Sequence, residues 1–421
     1  MIDLKAMCQR AKTTSRELAQ LTTARKNQTL SALSVWLTSH EKEITAANEK
    51  DIEGARMSGL SPAMIDRLTL TPKRIHSMAE DLEHVVRLTD PVGKSFEERS
   101  LPNGLKIRKL RVPLGVIAVI YESRPNVTVD VAALALKSGN ALILRGGSET
   151  IKTNLVLTAG IRNALSDADI DTDAVQFIDD PDHELVNQLL KMHDYVDMLI
   201  PRGGAGLHRF CRENSSIPVI TGGIGICHLF VDESADLEKS LDVVRNAKIQ
   251  RPTVCNALDT VLVHEKAAAA FIPMLIAKLK KDGVSFRVEE KAMQGLGLKM
   301  DKTVQRAGPE DFDTEWVSLV LGVKVVSGLE DAVAHIVDHS TNHSDGILTE
   351  DEITAKHFVE LVDSAAVYVN ASTRFTDGAE FGLGAEVAVS TQRLHARGPM
   401  ALRELTTYKW VGRGDYLVRG V

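Results

Sequence analysis

Residues 116–148 read VIAVIYESRPNVTVDVAALALKSGNALILRGGS, and their pattern indicates the class of fold most directly. Residues 116–120 are a continuous apolar run, which is typical of a strand buried on both faces. Residues 127–138 have the composition of a helix that a Gly-Asn pair ends, and residues 141–144 are a second apolar run. Strand, helix and strand in this order are expected to form two neighbouring strands of a parallel sheet.

Beyond this stretch the chain keeps alternating between short apolar strands and helices. The alternation predicts an α/β fold built on a doubly wound parallel sheet. A second αβ region runs from about residue 234 to residue 370. The further predicted elements are a helix that ends near residue 164, strands at 175–178, 196–200, 219–221, 261–263 and 323–326, and helices at 185–192, 207–213 and 266–280.

Length and composition exclude several classes of protein. The 421 residues exceed what one hydrophobic core usually supports, which predicts two or three domains. Apolar residues make up 44% of the chain and charged residues 25%, which excludes disordered, collagen-like and coiled-coil proteins. The net charge is -7 and basic residues are scattered, which argues against a nucleic-acid partner. The chain has no signal-peptide pattern and no long apolar run, so we expect a cytoplasmic protein without a membrane span.

The first 90 or so residues are predicted to be helical. Thr71 and Pro72 form a helix start, and Thr14 with Glu17 matches a capping box. The buried stripe of the helix after Pro72 is Ile75, Met78, Leu82 and Val85.

Residues 93–112 change character and predict a β-hairpin. Asn103 and Gly104 lie between two charged, partly alternating runs, which is a turn signal. The hairpin has few large apolar residues, so it needs a partner surface, and a neighbouring subunit is the candidate. A further strand is predicted at 410–417.

Two glycine-rich turns follow predicted strands. They are residues 145–148 and residues 201–206, and each leads into a predicted helix. Free N–H groups at a helix start favour phosphate, and ligands of such sheets bind beyond the carboxyl ends of the strands. Neither turn matches the G-x-G-x-x-G fingerprint, so the spacing alone is a weak signal for a dinucleotide.

Cys255 is the candidate nucleophile among four cysteines. The cysteines are widely spaced, without a C-x-x-C pair, so no disulfide framework or metal site is indicated. Cys255 lies in a polar loop before the apolar residues 261–263. Arg251 or Lys248 could favour its thiolate, the form that attacks a carbonyl carbon. A small buried hydrophobe is the competing interpretation of any single cysteine.

The chain resembles the glutamate-5-semialdehyde dehydrogenase (γ-glutamyl phosphate reductase) family of the aldehyde dehydrogenase superfamily, from near residue 10 to its end. The longest matching run is STRFTDGAEFGLGAEVAVSTQRLHARGP, at residues 372–399. The other matching segments are residues 121–126, 137–140, 144–149 and 201–204, and the segment around Cys255.

The resemblance implies a domain organisation. The nucleotide-binding domain would comprise residues 1–92 and 113–233, and the αβ catalytic domain residues 234–370. Residues 93–112 and 400–421 would form a small β-ribbon for oligomerisation. Residues 371–399 would be a substrate-site segment that returns to the nucleotide-binding domain. A homo-oligomer is implied, and a glutamate 5-kinase is a candidate partner.

The resemblance also implies site residues. Cys255 corresponds to the nucleophile. The implied NADPH-binding residues are Arg145, Gly147 and Ser148 beside the adenosine ribose, Pro201, Arg202, Gly203 and Gly204 at the pyrophosphate, and Glu315 at the nicotinamide ribose. The candidate substrate-binding residues are Arg124, His395 and Arg397, as cations for carboxylate and phosphate, and Glu386 for the ammonium group.

Two departures from the superfamily pattern affect the predicted chemistry. Hydrolytic members have a glutamate that activates water, and Ile220 stands at that position here. The side-chain amide that supports the oxyanion is also displaced, since Ser123 precedes Arg124 and the nearest asparagine is Asn126. We expect the backbone N–H of Cys255 and one of these two side chains to form the oxyanion hole.

The implied activity is NADPH-dependent reduction of L-glutamate 5-phosphate to L-glutamate 5-semialdehyde through a Cys255 thioester, a step toward proline. Another acylating aldehyde dehydrogenase, which uses coenzyme A, is the alternative. A cysteine hydrolase that pairs Cys255 with His264, and a non-catalytic scaffold, are more distant alternatives.

Overall fold

The computed structural model describes residues 2–222 and 224–419, and the chain divides into two compact units. The first unit contains the residues up to Thr221, the segment Gly382–Ala388 and the segment that begins at Met400. The second unit contains Gly222–Phe381 and Val389–Pro399.

Residues 2–92 form five helices, as predicted. Helix α5 begins as expected, since the Thr71 hydroxyl accepts a hydrogen bond from the Arg74 N–H and Pro72 is the first helical residue. The predicted capping box at Thr14 is wrong, because Asp3 caps the first helix and Thr14 lies buried inside it. The helices are α1 Leu4–Leu18, α2 Thr23–Ser39, α3 Glu41–Met57, α4 Pro62–Leu68 and α5 Pro72–Arg87.

A three-stranded antiparallel ribbon follows the helices. Strands β1 (Ser95–Ser100) and β2 (Lys106–Pro113) form the predicted hairpin, with Gly104 at a φ of 86° in its turn. The third strand, β16 (Thr406–Arg413), comes from the C-terminal segment and pairs with β2 over its whole length. The strand predicted at 410–417 therefore begins earlier and ends at Arg413.

A four-stranded parallel sheet forms the core of the first unit, in the order β5-β4-β3-β6. Strands β3 and β4 are buried along their whole length, because helices cover both faces of such a sheet. Its strands are β3 Val116–Tyr121, β4 Ala141–Arg145, β5 Val175–Phe177 and β6 Met198–Arg202, and its helices are α6 Asn126–Lys137, α7 Ile151–Asp167, α8 His183–Leu189 and α9 Ala205–Asn214. No strand forms at 219–221, where Val219 makes only an isolated bridge to Leu199.

A seven-stranded parallel sheet forms the core of the second unit, in the order β10-β9-β11-β8-β7-β12-β13. Alternate residues of its strands enter two separate apolar clusters. Leu229 and Val261 belong to one cluster, whereas Phe230 and Leu262 belong to the other. Apolar helices therefore cover both faces, and the predicted α/β class with doubly wound parallel sheets is confirmed.

The remaining elements belong mainly to this unit. The strands are β7 Cys227–Val231, β8 Leu258–His264, β9 Ser285–Val288, β10 Val304–Arg306, β11 Val320–Val326, β12 Ser344–Leu348 and β13 Ala366–Val369, with helices α10 Leu237–Ile249, α11 Glu265–Leu279, α12 Glu290–Gly295, α13 Leu329–His339 and α14 Glu352–Leu361. Strands β14 (Ala388–Ser390) and β15 (Gly398–Met400) form a two-stranded sheet.

The bounds of the two units differ from the predicted domain bounds, and the ribbon segments belong to the first unit. Strand β7 pairs with β8 and β12, so the second unit begins before residue 234. Within the predicted segment 371–399, only Gly382–Ala388 belongs to the first unit. Gly223 and residues 1, 420 and 421, which lie in predicted segments, are outside the described residues. Among the described residues, no helix is long and apolar enough to cross a membrane.

Asp51 of α3 holds the start of α7, the helix that follows the first glycine turn. Its buried carboxylate accepts hydrogen bonds from the Thr153 N–H at 2.8 Å and the Thr153 hydroxyl at 2.7 Å. The Lys152 N–H donates to the same carboxylate at 3.3 Å. Asp51 therefore accepts hydrogen bonds from N–H groups in the first turn of α7, which have no acceptor within the helix.

We expect Asp51→Ala to lower the free energy of unfolding by about 1 to 3 kcal/mol, because buried donors lose their acceptor. Urea denaturation followed by circular dichroism measures the change. Glu53→Ala is the matched control, since Glu53 is exposed on the same helix. Equal losses in the two variants would contradict this account of the α7 start.

Candidate functional site

Cys255 lies in the loop between α10 and β8 and is partly exposed, whereas Cys8, Cys211 and Cys227 are buried. Burial raises the pKa of Cys8 to about 12 and, together with the Glu122 charge, raises that of Cys211 to about 11. Burial also raises the pKa of Cys227 far above its ordinary value. The other three thiols are therefore protonated at neutral pH, and Cys255 is the thiol that solvent and ligands can reach.

The backbone of Cys255 is fixed from two sides. A Cβ on Gly225 would overlap the Cys255 carbonyl oxygen, so only glycine fits this close approach. The Cys227 thiol donates a hydrogen bond to the same oxygen, with an S···O distance of 3.3 Å. Sequence reasoning missed both contacts, because Gly225 and Cys227 are about 30 residues away from Cys255 and no local motif joins them.

Asn256 ties the cysteine loop to residues 373–376. Its side-chain amide donates to the carbonyl oxygens of Thr376 at 2.9 Å and Arg374 at 3.4 Å. The Thr373 hydroxyl donates to the Asn256 carbonyl at 2.7 Å. The sequence analysis matched residues 372–399 to the substrate site but did not identify this role.

Glu315 lies beside the same loop. Its carboxylate accepts a hydrogen bond from the Gly225 N–H at 3.0 Å. Burial raises the pKa of Glu315, and the Gly225 N–H opposes this shift. The structure thus joins Glu315 to Cys255 through one glycine, although its predicted contact with the nicotinamide ribose stays a prediction.

Lys248, one of the two residues predicted to favour the Cys255 thiolate, is not placed to do so. Its amine is buried, donates to the Leu258 carbonyl at 2.7 Å and lies 3.5 Å from an Asp259 oxygen. Burial lowers the pKa of Lys248, and the neighbouring Asp259 charge partly restores it. The reason is geometric: Lys248 faces inward from α10 onto the first residues of β8.

In the first unit, a carboxylate of the protein itself is hydrogen-bonded to the turn after β6. The Glu122 carboxylate accepts a hydrogen bond from the Gly204 N–H at 3.0 Å, immediately before α9. A Cβ on Gly203 would overlap this carboxylate. Pro201 and Arg202 belong to β6, and the Arg202 carbonyl accepts from the Glu122 N–H at 3.0 Å. Sequence reasoning quoted Glu122 in its motif but gave it no role.

The turn after β4 presents Ser148 rather than Arg145 to solvent. Arg145 is buried, and its terminal nitrogens donate to the carbonyls of Gly146 at 2.7 Å and Pro181 at 2.8 Å. Its Nε is buried with no hydrogen-bond partner among the described residues. Burial lowers the pKa of Arg145. Gly147 is also buried, whereas Ser148 is exposed.

The candidate oxyanion side chains have partners within the first unit. The Ser123 N–H and hydroxyl both donate to one Glu149 oxygen at 2.9 Å. The Asn126 amide donates to Asp130 at 2.8 Å, and burial raises the pKa of Asp130 to about 6. The role of either side chain in an oxyanion hole stays a prediction. Ile220 is buried, and its N–H donates to the Leu199 carbonyl.

The candidate substrate residues are divided between the units. Arg124 and Glu386 belong to the first unit, and His395 and Arg397 to the second. Arg397 donates to the Asp363 carboxylate at 2.6 Å and to the Asp363 carbonyl. His395 has a left-handed backbone, with a φ of 67°. Their predicted contacts with substrate stay predictions.

Comparison with known proteins supplies the wider context. The family model described as the aldehyde dehydrogenase family matches residues 2–295. The γ-glutamyl phosphate reductase of Photobacterium profundum is 56% identical over 418 residues, covering 99% of this chain and 100% of that protein. The Psychromonas ingrahamii protein of the same name is 55% identical, with the same coverage. The crystal structure of γ-glutamyl phosphate reductase from Thermotoga maritima has a TM-score of 0.96, 46% identity and full coverage of both chains.

We expect Gly225→Ala to displace the Cys255 carbonyl and slow alkylation of Cys255 by iodoacetamide at least severalfold. The added Cβ meets backbone, which cannot rotate away. Gly295→Ala is the control, because its Cβ would meet nothing within 4 Å. Alkylation is followed by mass spectrometry of the intact protein. An unchanged rate in Gly225→Ala would show that the close approach does not fix the nucleophile.

Proposed function

Since the chain belongs to the aldehyde dehydrogenase family, we propose that it reduces L-glutamate 5-phosphate to L-glutamate 5-semialdehyde and phosphate with NADPH, a step of proline biosynthesis. One observation carries this function: identity above one half extends from end to end with relatives named γ-glutamyl phosphate reductase. The chain is an NADP-dependent oxidoreductase that acts on an acyl phosphate. The relatives' names favour this substrate over the coenzyme A thioester of the alternative.

The residues of the first unit fit a dinucleotide phosphate. The Glu122 carboxylate on the Gly204 N–H is a stand-in anion at a helix start, where the aligned peptide dipoles favour negative charge. The exposed Ser148 hydroxyl and the buried Arg145, whose Nε lacks a partner among the described residues, supply donors at the other turn. We assign the pyrophosphate to residues 201–204, the adenosine ribose to Arg145, Gly147 and Ser148, and the nicotinamide ribose to Glu315.

Cys255 carries the covalent chemistry. Its thiolate attacks the acyl carbon of the substrate, the carbon–oxygen bond to phosphate breaks, and the bonding electrons leave with phosphate. The product of this step is a thioester on Cys255. The Cys255 N–H, with Ser123 or Asn126, would stabilise the oxyanion of the tetrahedral intermediate.

NADPH, when bound, supplies the hydride that reduces the thioester carbon to the aldehyde level. Release of the aldehyde returns the Cys255 thiolate, and no water takes part. Ile220 fits this sequence of steps, because an isoleucine side chain cannot activate water against the thioester. The glutamyl part of the substrate carries a carboxylate and an ammonium group, which we assign to Arg124, His395 and Arg397 and to Glu386 respectively.

Three further assignments extend the function. We infer a homo-oligomer formed through the ribbon of β1, β2 and β16, because Tyr408 and Trp410 are about half exposed on it. The substrate is a labile acyl phosphate, which supports transfer from a glutamate 5-kinase. A biosynthetic reaction that consumes NADPH supports a cytoplasmic location.

Cys255→Ala should abolish turnover while leaving the fold and NADPH binding unchanged, because one thiol provides the whole covalent pathway. Reduction of L-glutamate 5-phosphate is followed by NADPH absorbance, and NADPH binding by its fluorescence. Cys211→Ala, which removes a buried thiol, should keep activity within a small factor. Activity of Cys255→Ala near that of the unaltered enzyme would overturn the covalent mechanism.

Ser148→Asp should weaken NADPH binding at least about tenfold and affect NADH far less, since like charges a few Å apart near a protein surface repel by more than about 1 kcal/mol. Fluorescence titration measures both dissociation constants. Ser166→Asp, at an exposed position of α7, controls for added charge. Equal weakening of NADPH and NADH binding would show that Ser148 does not lie near the 2′-phosphate, the group that distinguishes NADPH from NADH.

A further inference from the structure

Arg251 lies in the same loop as Cys255, and Arg374 lies in a segment that is distant in sequence but bonded to that loop. Arg374 lies in the short 3₁₀ turn Thr373–Phe375, which Asn256 and Thr373 tie to the cysteine loop through hydrogen bonds at 2.7 to 3.4 Å. The Arg374 Nε donates to the side-chain oxygen of Gln250 at 2.7 Å. Gln250 immediately precedes Arg251, so the same contact brings the two arginine-bearing segments together.

The charge of Arg374 is not balanced by a direct carboxylate partner, as it is at Arg245 and Arg397. Burial is the main cause that lowers the pKa of Arg374, and the Arg251 charge lowers it further. The Asp377 carboxylate and the thiols of Cys255 and Cys227 raise it. The Arg374 guanidinium therefore interacts electrostatically with a second cation, Arg251, and with the nucleophile, Cys255. The Asp377 carboxylate also accepts the Ala379 N–H at 2.9 Å, so it serves its own turn as well.

Two other arginines of the second unit have a carboxylate as their direct partner. Arg245 makes two hydrogen bonds of 2.7 Å to Asp282, and Arg397 bonds Asp363. The Arg374 Nε instead has a neutral amide as its partner, which fixes the plane of the guanidinium without neutralising it. Two like charges held close together cost free energy unless an anion binds between them.

We propose that Arg374 and Arg251 bind the phosphate group of the substrate, the group that leaves when Cys255 attacks. This inference rests on the proposed function and assigns the phosphate to two residues that the sequence analysis did not select as phosphate ligands. A guanidinium matches phosphate with two parallel hydrogen bonds, and its charge does not depend on pH in the physiological range. The bond that breaks is the one between the acyl carbon and the bridging oxygen, and its electrons pass to the oxygen that the arginines stabilise.

The same pair serves the reverse reaction. Phosphate held by Arg374 and Arg251 attacks the thioester carbon, forms the acyl phosphate and releases the Cys255 thiolate. Without phosphate, the oxidation of the semialdehyde should form one NADPH per active site and then stop, because Ile220 provides no base for water. This burst reports thioester formation, and the steady rate after phosphate addition reports the phosphate subsite.

The test is to measure both quantities in Arg374→Gln, Arg251→Gln and Arg374→Lys. We expect the burst amplitude to stay near that of the unaltered enzyme in all three. The KM for inorganic phosphate should rise at least about tenfold in Arg374→Gln, which loses charge-assisted hydrogen bonds. It should rise less in Arg251→Gln and in Arg374→Lys, which keeps the charge but loses the planar fork. Arg245→Gln, which removes a surface pair in the same unit, should change neither quantity.

The outcomes separate the inference from the function on which it rests. A full burst with an unchanged KM for phosphate in Arg374→Gln and Arg251→Gln overturns the phosphate subsite and leaves the function intact. Steady NADPH formation by the unaltered enzyme without phosphate overturns the proposed function itself. If Arg374→Gln does not fold, Arg251→Gln decides the question, because Arg251 is exposed and its loss leaves the interior unchanged.

Discussion

The arrangement around the nucleophile depends on the close approach of two stretches of backbone. At Gly225 the chain passes so near the Cys255 carbonyl that no side chain fits. The same approach lets the Gly225 N–H reach Glu315 and lets the thiol at the start of β7 reach that carbonyl. One steric condition therefore aligns a nucleophile, a carboxylate and the first residue of a buried strand. A larger residue at this point would disturb all three together.

Local pattern predicted most of the first unit, but only β8 and β11 of the seven strands in the sheet of the second unit. The apolar runs that became β3 and β4 are buried at every residue, and burial on both faces is what a continuous apolar run indicates. The pattern failed where tertiary contacts decide. The apolar residues at 219–221 form only one bridge, and Thr14 lies inside a helix that Asp3 starts earlier. Capping signals are short and recur by chance, so they locate a helix end less well than burial does.

The site was less predictable than the fold, because its contacts join residues far apart in sequence. Lys248 is close to Cys255 in the chain, but α10 directs it into the interior. Arg374 is 124 residues from Gln250, and their hydrogen bond follows from the path of the whole second unit. Glu122 and Gly204 are similarly separated, by 82 residues. Resemblance could select the segments that matter, and only the folded chain shows which side chains within them meet.

The ribbon of β1, β2 and β16 constrains the order in which the parts of the first unit can fold. Its central strand, β2, ends at Pro113, but its partner β16 spans residues 406–413. The side chain of Asn140 also needs this segment for its hydrogen bond, since it donates to the Leu405 carbonyl at 2.8 Å. The strands β3 to β6 can pair while the ribosome is still translating. The edge of β2 stays open until residues 406–413 have been made, so the ribbon can close only after the strands β3 to β6 are available to pair.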